Sequence, residues 1–473
     1  MPAAIDSPAT RRAARYALTI LTLINLFNYL DRWVVASVVE SIKKSELHLS
    51  DTQLGLVGTG FIVVYTLTSP LFGAFGDRRA RPPLIALGVA VWSVATSLAG
   101  FARGFASLFV ARSAVGVGEA AYGTIAPALL ADSFPIERRG RVLSVFFAAI
   151  PIGSAAGYIL GGLVDQHFGW RAAFWIAGAP GLLLALLVLI VKDPPRGLHD
   201  VRESGVGGRE SEIDPSIETS SDSRLPTPDP RWVDAYRHLF RNRPFILTAL
   251  GYGAYTFALG GLGFWMPAFL ERVRGMPRSD ATVTFGGIAL VTGFVGTFIG
   301  GWLGDLLLSR TKQSYLWVSG VATLLAAPAT FVAVSNPHRA VYLPAIAIAE
   351  VLIFISTGPV NSAIINVVKP AERATALGLS VLVMHLIGDI PSPPLIGIVS
   401  DHTSLERAFM LVPLAIVIAG CIWMYAAWRE RHSVALRRVS GVRSQESGVG
   451  SRESESILDG SDPRPPTPDP RQY

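Results

Sequence analysis

Long apolar runs, separated by short polar joints, dominate this chain. Twelve can be drawn, over residues 17–40, 53–75, 84–102, 106–130, 141–164, 171–191, 245–270, 283–308, 314–334, 341–363, 374–399 and 406–428. Each has roughly the 20 residues that carry a helix across a ~30 Å hydrocarbon core. Backbone polar groups cannot be left unpaired in lipid, so such runs are predicted as helices. The pattern predicts an all-α integral membrane protein with twelve transmembrane helices.

Two stretches break the pattern. Residues 196–231, and in the same manner about 437–473, are rich in Ser, Glu, Gly, Pro and Asp. They are predicted as a largely disordered cytoplasmic linker and a disordered tail. The domain organisation expected is an N-terminal segment (1–16), a six-helix half (17–191), the linker (192–244), a second six-helix half (245–428) and the tail (429–473). Linker and tail share text: ESGVGGRESE at Glu203–Glu212 returns as ESGVGSRESE at Glu446–Glu455, and PTPDPR at Pro226–Arg231 returns at Pro466–Arg471. Low complexity of this kind needs no packed core, and a neutral duplicated insert is the simplest account.

The apolar halves repeat as well. GAFGD (Gly73–Asp77) recurs as GWLGD (Gly301–Asp305), each after the second helix of its half. A six-plus-six parallel repeat is the architecture of the major facilitator fold, whose site lies between the halves near the midplane.

Composition narrows the function. Charged residues make up 16% of the chain and hydrophobic ones 50%, with mean hydropathy +0.43; soluble domains carry about 25% charged residues. The single cysteine, Cys421, excludes an intrachain disulfide framework and a multi-cysteine metal site. No GxxxxGK[ST] loop is present for an ATP-driven pump. No nucleophile-and-base pair or metal cluster is apparent either, so no enzyme, cofactor, metal or nucleic-acid partner is expected. The N-terminus is polar and basic, and the first apolar run is too long for a signal peptide, so the first helix is expected to stay in the protein.

Twelve crossings put both termini on one side. A cytoplasmic placement leaves Arg78, Arg79, Arg81, Arg138, Arg139, Arg141, Arg310, Lys312, Lys369 and Arg373 in inner loops. Lys43, Lys44, Arg103, Arg171, Arg272, Arg274, Arg278, Arg339 and Arg407 fall outside. That is nearly even, and the basic tails tip the positive-inside rule towards cytoplasmic termini.

Charged side chains deep in a bilayer cost at least ~2.5–3.5 kcal/mol each, so each asks for an explanation. The candidates are Asp31 and Arg32 on helix 1, Arg112 and Glu119 on helix 4, Glu350 on helix 10, and His385 and Asp389 on helix 11. Counting ~1.5 Å per residue puts all seven in one slab about 16–27 Å above the cytoplasmic helix ends. Arg112 and Glu119 lie seven residues apart, on one helix face and about 10 Å apart along it, with axial room between them for Asp31 and Arg32. A structural charge network pinning the two helices would explain this. So would a site in which Arg32 and Arg112 hold an anionic headgroup while Asp31 and Glu119 carry a proton. Asn28, Tyr65, Tyr122, Glu350, His385 and Asp389 are further cavity candidates. Gly260, Gly261, Gly263 and Pro267 in helix 7, and Pro391, Pro393 and Pro394 in helix 11, are candidate hinges.

Several stretches carry a family likeness. GAFGDRRARP (Gly73–Pro82) resembles the cytoplasmic gate loop of the major facilitator superfamily. The likeness implies that Gly73 permits close helix crossing, and that Asp77, with Arg78, Arg81 and the repeat partner Asp305, forms the gate. RSAVG (Arg112–Gly116) resembles its helix 4 motif, and GSAAGYILGG (Gly153–Gly162) its helix 5 glycine motif, though Tyr158 stands where that motif has proline. Gly153, Gly157 and Gly161 form a small-residue stripe suited to close helix packing. NYLDR (Asn28–Arg32), GDRRAR (Gly76–Arg81), RSAVGVGEAAYGTIAP (Arg112–Pro127) and IPIGSAAGY (Ile150–Tyr158) together resemble the Spinster family. That likeness implies a monomeric, proton-coupled carrier in the inner (plasma) membrane, working by alternating access on lysophospholipid or sphingoid-phosphate-like lipids. A proton-coupled carrier of a small organic anion is the alternative. A non-transporting sensor or scaffold would have no use for the midplane charges.

Overall fold

The computed structural model describes residues 8–196, 237–368 and 373–431. The repeated linker and tail segments, with Lys369 and Glu372, lie outside them. The first half comprises α1 (Pro8–Ser37), a short α2 (Val39–Lys44), α3 (Asp51–Arg78), α4 (Arg81–Ala99), α5 (Phe105–Ser133), α6 (Ile136–Phe168) and α7 (Trp170–Val188). The second comprises α8 (Arg243–Arg272), α9 (Arg278–Leu308), α10 (Ser314–Ser335), α11 (Arg339–Phe354), α12 (Thr357–Asn366), α13 (Arg373–Met384), a π-helical turn (His385–Asp389), α14 (Ser392–His402) and α15 (Leu405–Ala408). The last apolar span runs Leu405–Arg431.

Eleven spans among the described residues are long and apolar enough to cross a membrane. Only α1 falls short of the twelve expected. Asn25, Asn28, Asp31 and Arg32 dilute its apolar character, and those polar residues are buried or half-buried inside the bundle.

Two predicted helices are broken. The run 341–363 divides at Ile355–Ser356, where Ser356 Oγ bonds Ser319 O (3.2 Å) and Thr323 Oγ1 (2.9 Å). The run 374–399 divides at the π turn and Pro391. By contrast, the helix expected to weaken at Gly260–Pro267 is the continuous α8. Its glycines admit neighbours instead: a Cβ on Gly263 would meet the Trp33 ring, and one on Gly260 would meet Asp389.

The halves join along α6 with α9, α3 with α14, and α1 with α8. Among the described residues, the inter-half polar contacts lie between mid-bundle and the end away from the termini. Arg272 bridges Glu40 and Asp51, with Nε–Oε1 2.7 Å and Nη1–Oδ2 2.6 Å. Lys44 pairs with Glu271 at 2.7 Å, and Arg278 with Asp165 at 3.2 Å. Asp401 caps the start of α3 through the Asp51 and Thr52 amides (2.8 and 2.9 Å). Nearer the middle, Thr59 donates to Ile390 O (2.7 Å) and Tyr158 to Gly263 O (2.8 Å). The bundle is thus clasped at the end away from the termini.

Candidate functional site

The polar centre depends on how closely α1 can approach α6. Gly157 faces Leu30 O and Trp33, Gly153 faces Leu26 O and Tyr29, and Gly161 faces Val34 and Ser37. An added Cβ at Gly157 would lie 2.5 Å from Leu30 O, too close to exist without a shift. The stripe therefore lets the α1 backbone lie directly on α6, which fixes the direction in which Asp31 and Arg32 project.

These neighbours on α1 engage different residues of α5. Asp31 Oδ1 lies 3.0 Å from Arg112 Nη1, and Thr96 of α4 donates to Asp31 Oδ2. All three side chains are buried, and the Arg112 guanidinium stands 5.8 Å from the Phe174 ring centroid. One residue on, Arg32 bonds Glu119 Oε2 through Nη2 (2.7 Å) and Nε (3.1 Å). Glu119 is enclosed, whereas the Arg32 side chain keeps 24% of its surface open. The rings of Tyr29, Phe61 and Tyr65 surround that guanidinium at 4.7, 4.8 and 5.4 Å. The cluster is thus two crossed ion pairs with no net charge. Asn28 Nδ2, Arg112 Nε and Glu119 Oε1 are buried beside it without a hydrogen-bond partner.

Thr96, Phe61 and Phe174 were not singled out from the sequence. Thr96 interrupts an apolar run and could have been flagged on that ground; the two phenylalanines look like any lipid-facing residue. Tyr122, a cavity candidate, sits in the wall of the first half: it is buried against Trp92 and Phe146, with its hydroxyl on Leu21 O.

The second half holds its polar groups apart from this cluster. His385 Nδ1 lies 2.9 and 3.0 Å from the Asp389 oxygens across the π turn, with side chains 16% and 22% exposed. Tyr252 on α8 is close enough to interact with Asp389 and with Asn361 of α12. Glu350 is buried on α11 and bonds Thr292 of α9 at 2.8 Å.

The loop expected to form the gate does not show the expected contacts. Gly73 faces open space, and the close crossing expected of it occurs at Gly76, against Ile125. Asp77 carries no ion pair among the described residues. Arg81, expected beside it, is spent on Asp132 (2.6 Å) and Asp193 (2.7 Å), and Asp305 accepts from Tyr315 (2.8 Å). Among the described residues no metal-binding group of three side chains is found.

The family profile of the Major Facilitator Superfamily matches residues 21–393. The chain is 34% identical to protein spinster homolog 3 of Danio rerio, over 88% of this chain and 85% of that one. It is 35% identical to protein spinster homolog 1 of Homo sapiens (81% and 72% covered). It is also 30% identical to a probable sphingolipid transporter, spinster homolog 1, of Arabidopsis thaliana (86% and 87%). In fold it is similar to an inward-facing, unoccupied crystal structure of a bacterial homologue of the human lysosomal transporter Spinster. The TM-score there is 0.74 at 24% identity, over 88% of this chain and 97% of that one.

Proposed function

We infer that this chain, which belongs to the Spinster family of the major facilitator superfamily, moves amphipathic lipids with an anionic headgroup by proton-linked alternating access. It is a multi-pass membrane transporter and not an enzyme. The proposal concerns the substrate, the coupling ion and the two-ended cycle. The inner membrane with cytoplasmic termini is the placement proposed with it.

One observation carries the reading: Arg32 is the half-open member of an otherwise enclosed four-charge cluster. An anionic headgroup can bind its planar fork only by sharing or replacing Glu119. Replacing a buried carboxylate strands its charge, at a cost of several kcal/mol, unless that carboxylate takes up a proton. Headgroup arrival and protonation of Glu119 are therefore coupled by charge balance. Asp31 is linked to the same balance through α1. The aromatic ring around Arg32 suits a headgroup with an apolar chain attached. The name of the Arabidopsis relative also favours a lipid.

The test is uptake of a fluorescent lysophospholipid into proteoliposomes, with and without a pH gradient. Uptake should follow the gradient, and the gradient dependence should vanish in Asp31→Asn and in Glu119→Gln. Full gradient-driven uptake in both variants would refute the assignment. Transport of small organic anions with no lipid movement would replace the lipid by the smaller substrate.

A further inference from the structure

We propose that Glu350 is a second proton-binding site, in the half opposite the Asp31–Glu119 cluster, that holds its proton while the clasped end is shut and releases it when that end opens. The inference rests on the proton-linked reading above and adds a group to it.

Hydrogen counting carries it. Thr292 Oγ1 lies 2.8 Å from Ile288 O and 2.8 Å from Glu350 Oε2. A hydroxyl has one hydrogen to give, and the carbonyl can only accept. When that hydrogen goes to Ile288 O, the bond to Glu350 exists only if Glu350 supplies a hydrogen of its own, as a carboxylic acid. The converse leaves a buried carboxylate with one neutral hydrogen bond and no cation. Burying a charge so poorly compensated is costly, and protonation removes the cost.

Among the described residues the surroundings supply no cation. Across α9 the charged residues stand at the ends (Arg278, Asp280, Asp305), and α10 has none. On α11 itself, Arg339 and Tyr342 lie in the first turn. From the other half, Tyr158 of α6 lies close enough to feel the charge of Glu350, but its hydroxyl hydrogen is committed to Gly263 O. Asp31 and Glu119, by contrast, each face an arginine at 2.7–3.0 Å.

The same contacts tie the site to the clasp. Gly286 of α9 packs on Ala155 and Tyr158, and Gly162 packs on Thr282. Parting α6 from α9 would wet the seam beside Glu350. Its O–H bond then breaks, the proton passes to water, and a hydrated carboxylate remains.

Two measurements test this. At neutral pH the infrared spectrum of the protein in lipid nanodiscs should show the carbonyl stretch of a protonated carboxyl group. The band should be lost in Glu350→Gln, persist in Asp31→Asn and Glu119→Gln, and shift in Thr292→Val, where the acid loses its partner. A band absent from the unaltered protein, or intact in Glu350→Gln, overturns the proposal. Next, spin labels at Arg103→Cys and His338→Cys in a Cys421→Ser background report opening of the clasped end. Release of one proton makes the open-to-closed ratio rise tenfold per pH unit, and Glu350→Gln should remove that factor. An unchanged slope also overturns it. Should the slope behave as expected while lipid uptake ignores the pH gradient, the proton-linked reading fails and Glu350 remains a pH-sensitive hinge group.

Discussion

At the scale of single residues, the crossed pairs make each charge dependent on one other. Removing Arg112 leaves Asp31 buried with Thr96 as its remaining side-chain hydrogen-bond partner. Stranding one partner of a buried pair costs about 3–5 kcal/mol. Arg112→Met should therefore lower thermal stability markedly in detergent, and the double variant Asp31→Asn/Arg112→Met should recover much of the loss. Thr96→Val removes one hydrogen bond to a charged group and should cost about 1.5–3 kcal/mol; thermal melts of the variants rank these effects. The four charges were legible in the sequence because charge inside an apolar run is rare. Which acid meets which arginine was not legible, because the directions in which the adjacent Asp31 and Arg32 project depend on how α1 packs. Of the aromatic ring around Arg32, Tyr65 was a cavity candidate in the sequence but Phe61 was not, because a phenylalanine reads as an ordinary member of a membrane helix until α3 is set beside α1.

At the scale of elements, apolar length located the crossings but not their interruptions. Pro391 marked the interruption of 374–399 in advance, whereas the break at Ser356 falls inside hydrophobic text, its hydroxyl meeting the Ser319 carbonyl and the Thr323 hydroxyl of α10. Glycine was read two ways and acted in one. Gly260, Gly261 and Gly263 do not weaken α8; they bring Asp389, Ile396 and Trp33 close to its backbone. Gly162→Leu should consequently drive α6 from α9, because even a Cβ there overlaps Thr282. The label pair at Arg103 and His338 should report a longer distance in that variant, and an unchanged distance would show that α9 yields locally.

At the scale of the whole molecule, the near-even count of basic residues in the two sets of loops has a structural reason. The basic residues away from the termini are largely matched to acids: Lys43 to Asp51, Lys44 to Glu271, Arg171 to Glu46, Arg272 to Glu40 and Asp51, Arg274 to Glu406 and Arg278 to Asp165. A rule that counts Lys and Arg alone cannot see this. Apart from Lys43–Asp51, eight residues apart, these pairs are distant in sequence and join the two halves or the loops within them, so no local pattern announced them. Alternating access requires the inter-half clasp to part in every cycle. Lys44→Cys with Glu271→Cys in a Cys421→Ser background, bridged by a short bifunctional thiol reagent, should stop transport, and cleaving the bridge should restore it. Continued uptake by the bridged protein would mean that this end stays shut throughout the cycle.

The crossed pairs also constrain how such a chain can diverge. Positions 31 and 32 are adjacent in the gene, yet their side chains answer to partners that sit seven residues apart on another helix. Exchanging the two α1 residues would set arginine against Arg112 and aspartate against Glu119. A tolerated change at one position therefore waits for a matching change some eighty residues away. Substitutions here should be strongly non-additive, and a lineage that alters its substrate has an easier path through the open aromatic rim than through the four charges behind it.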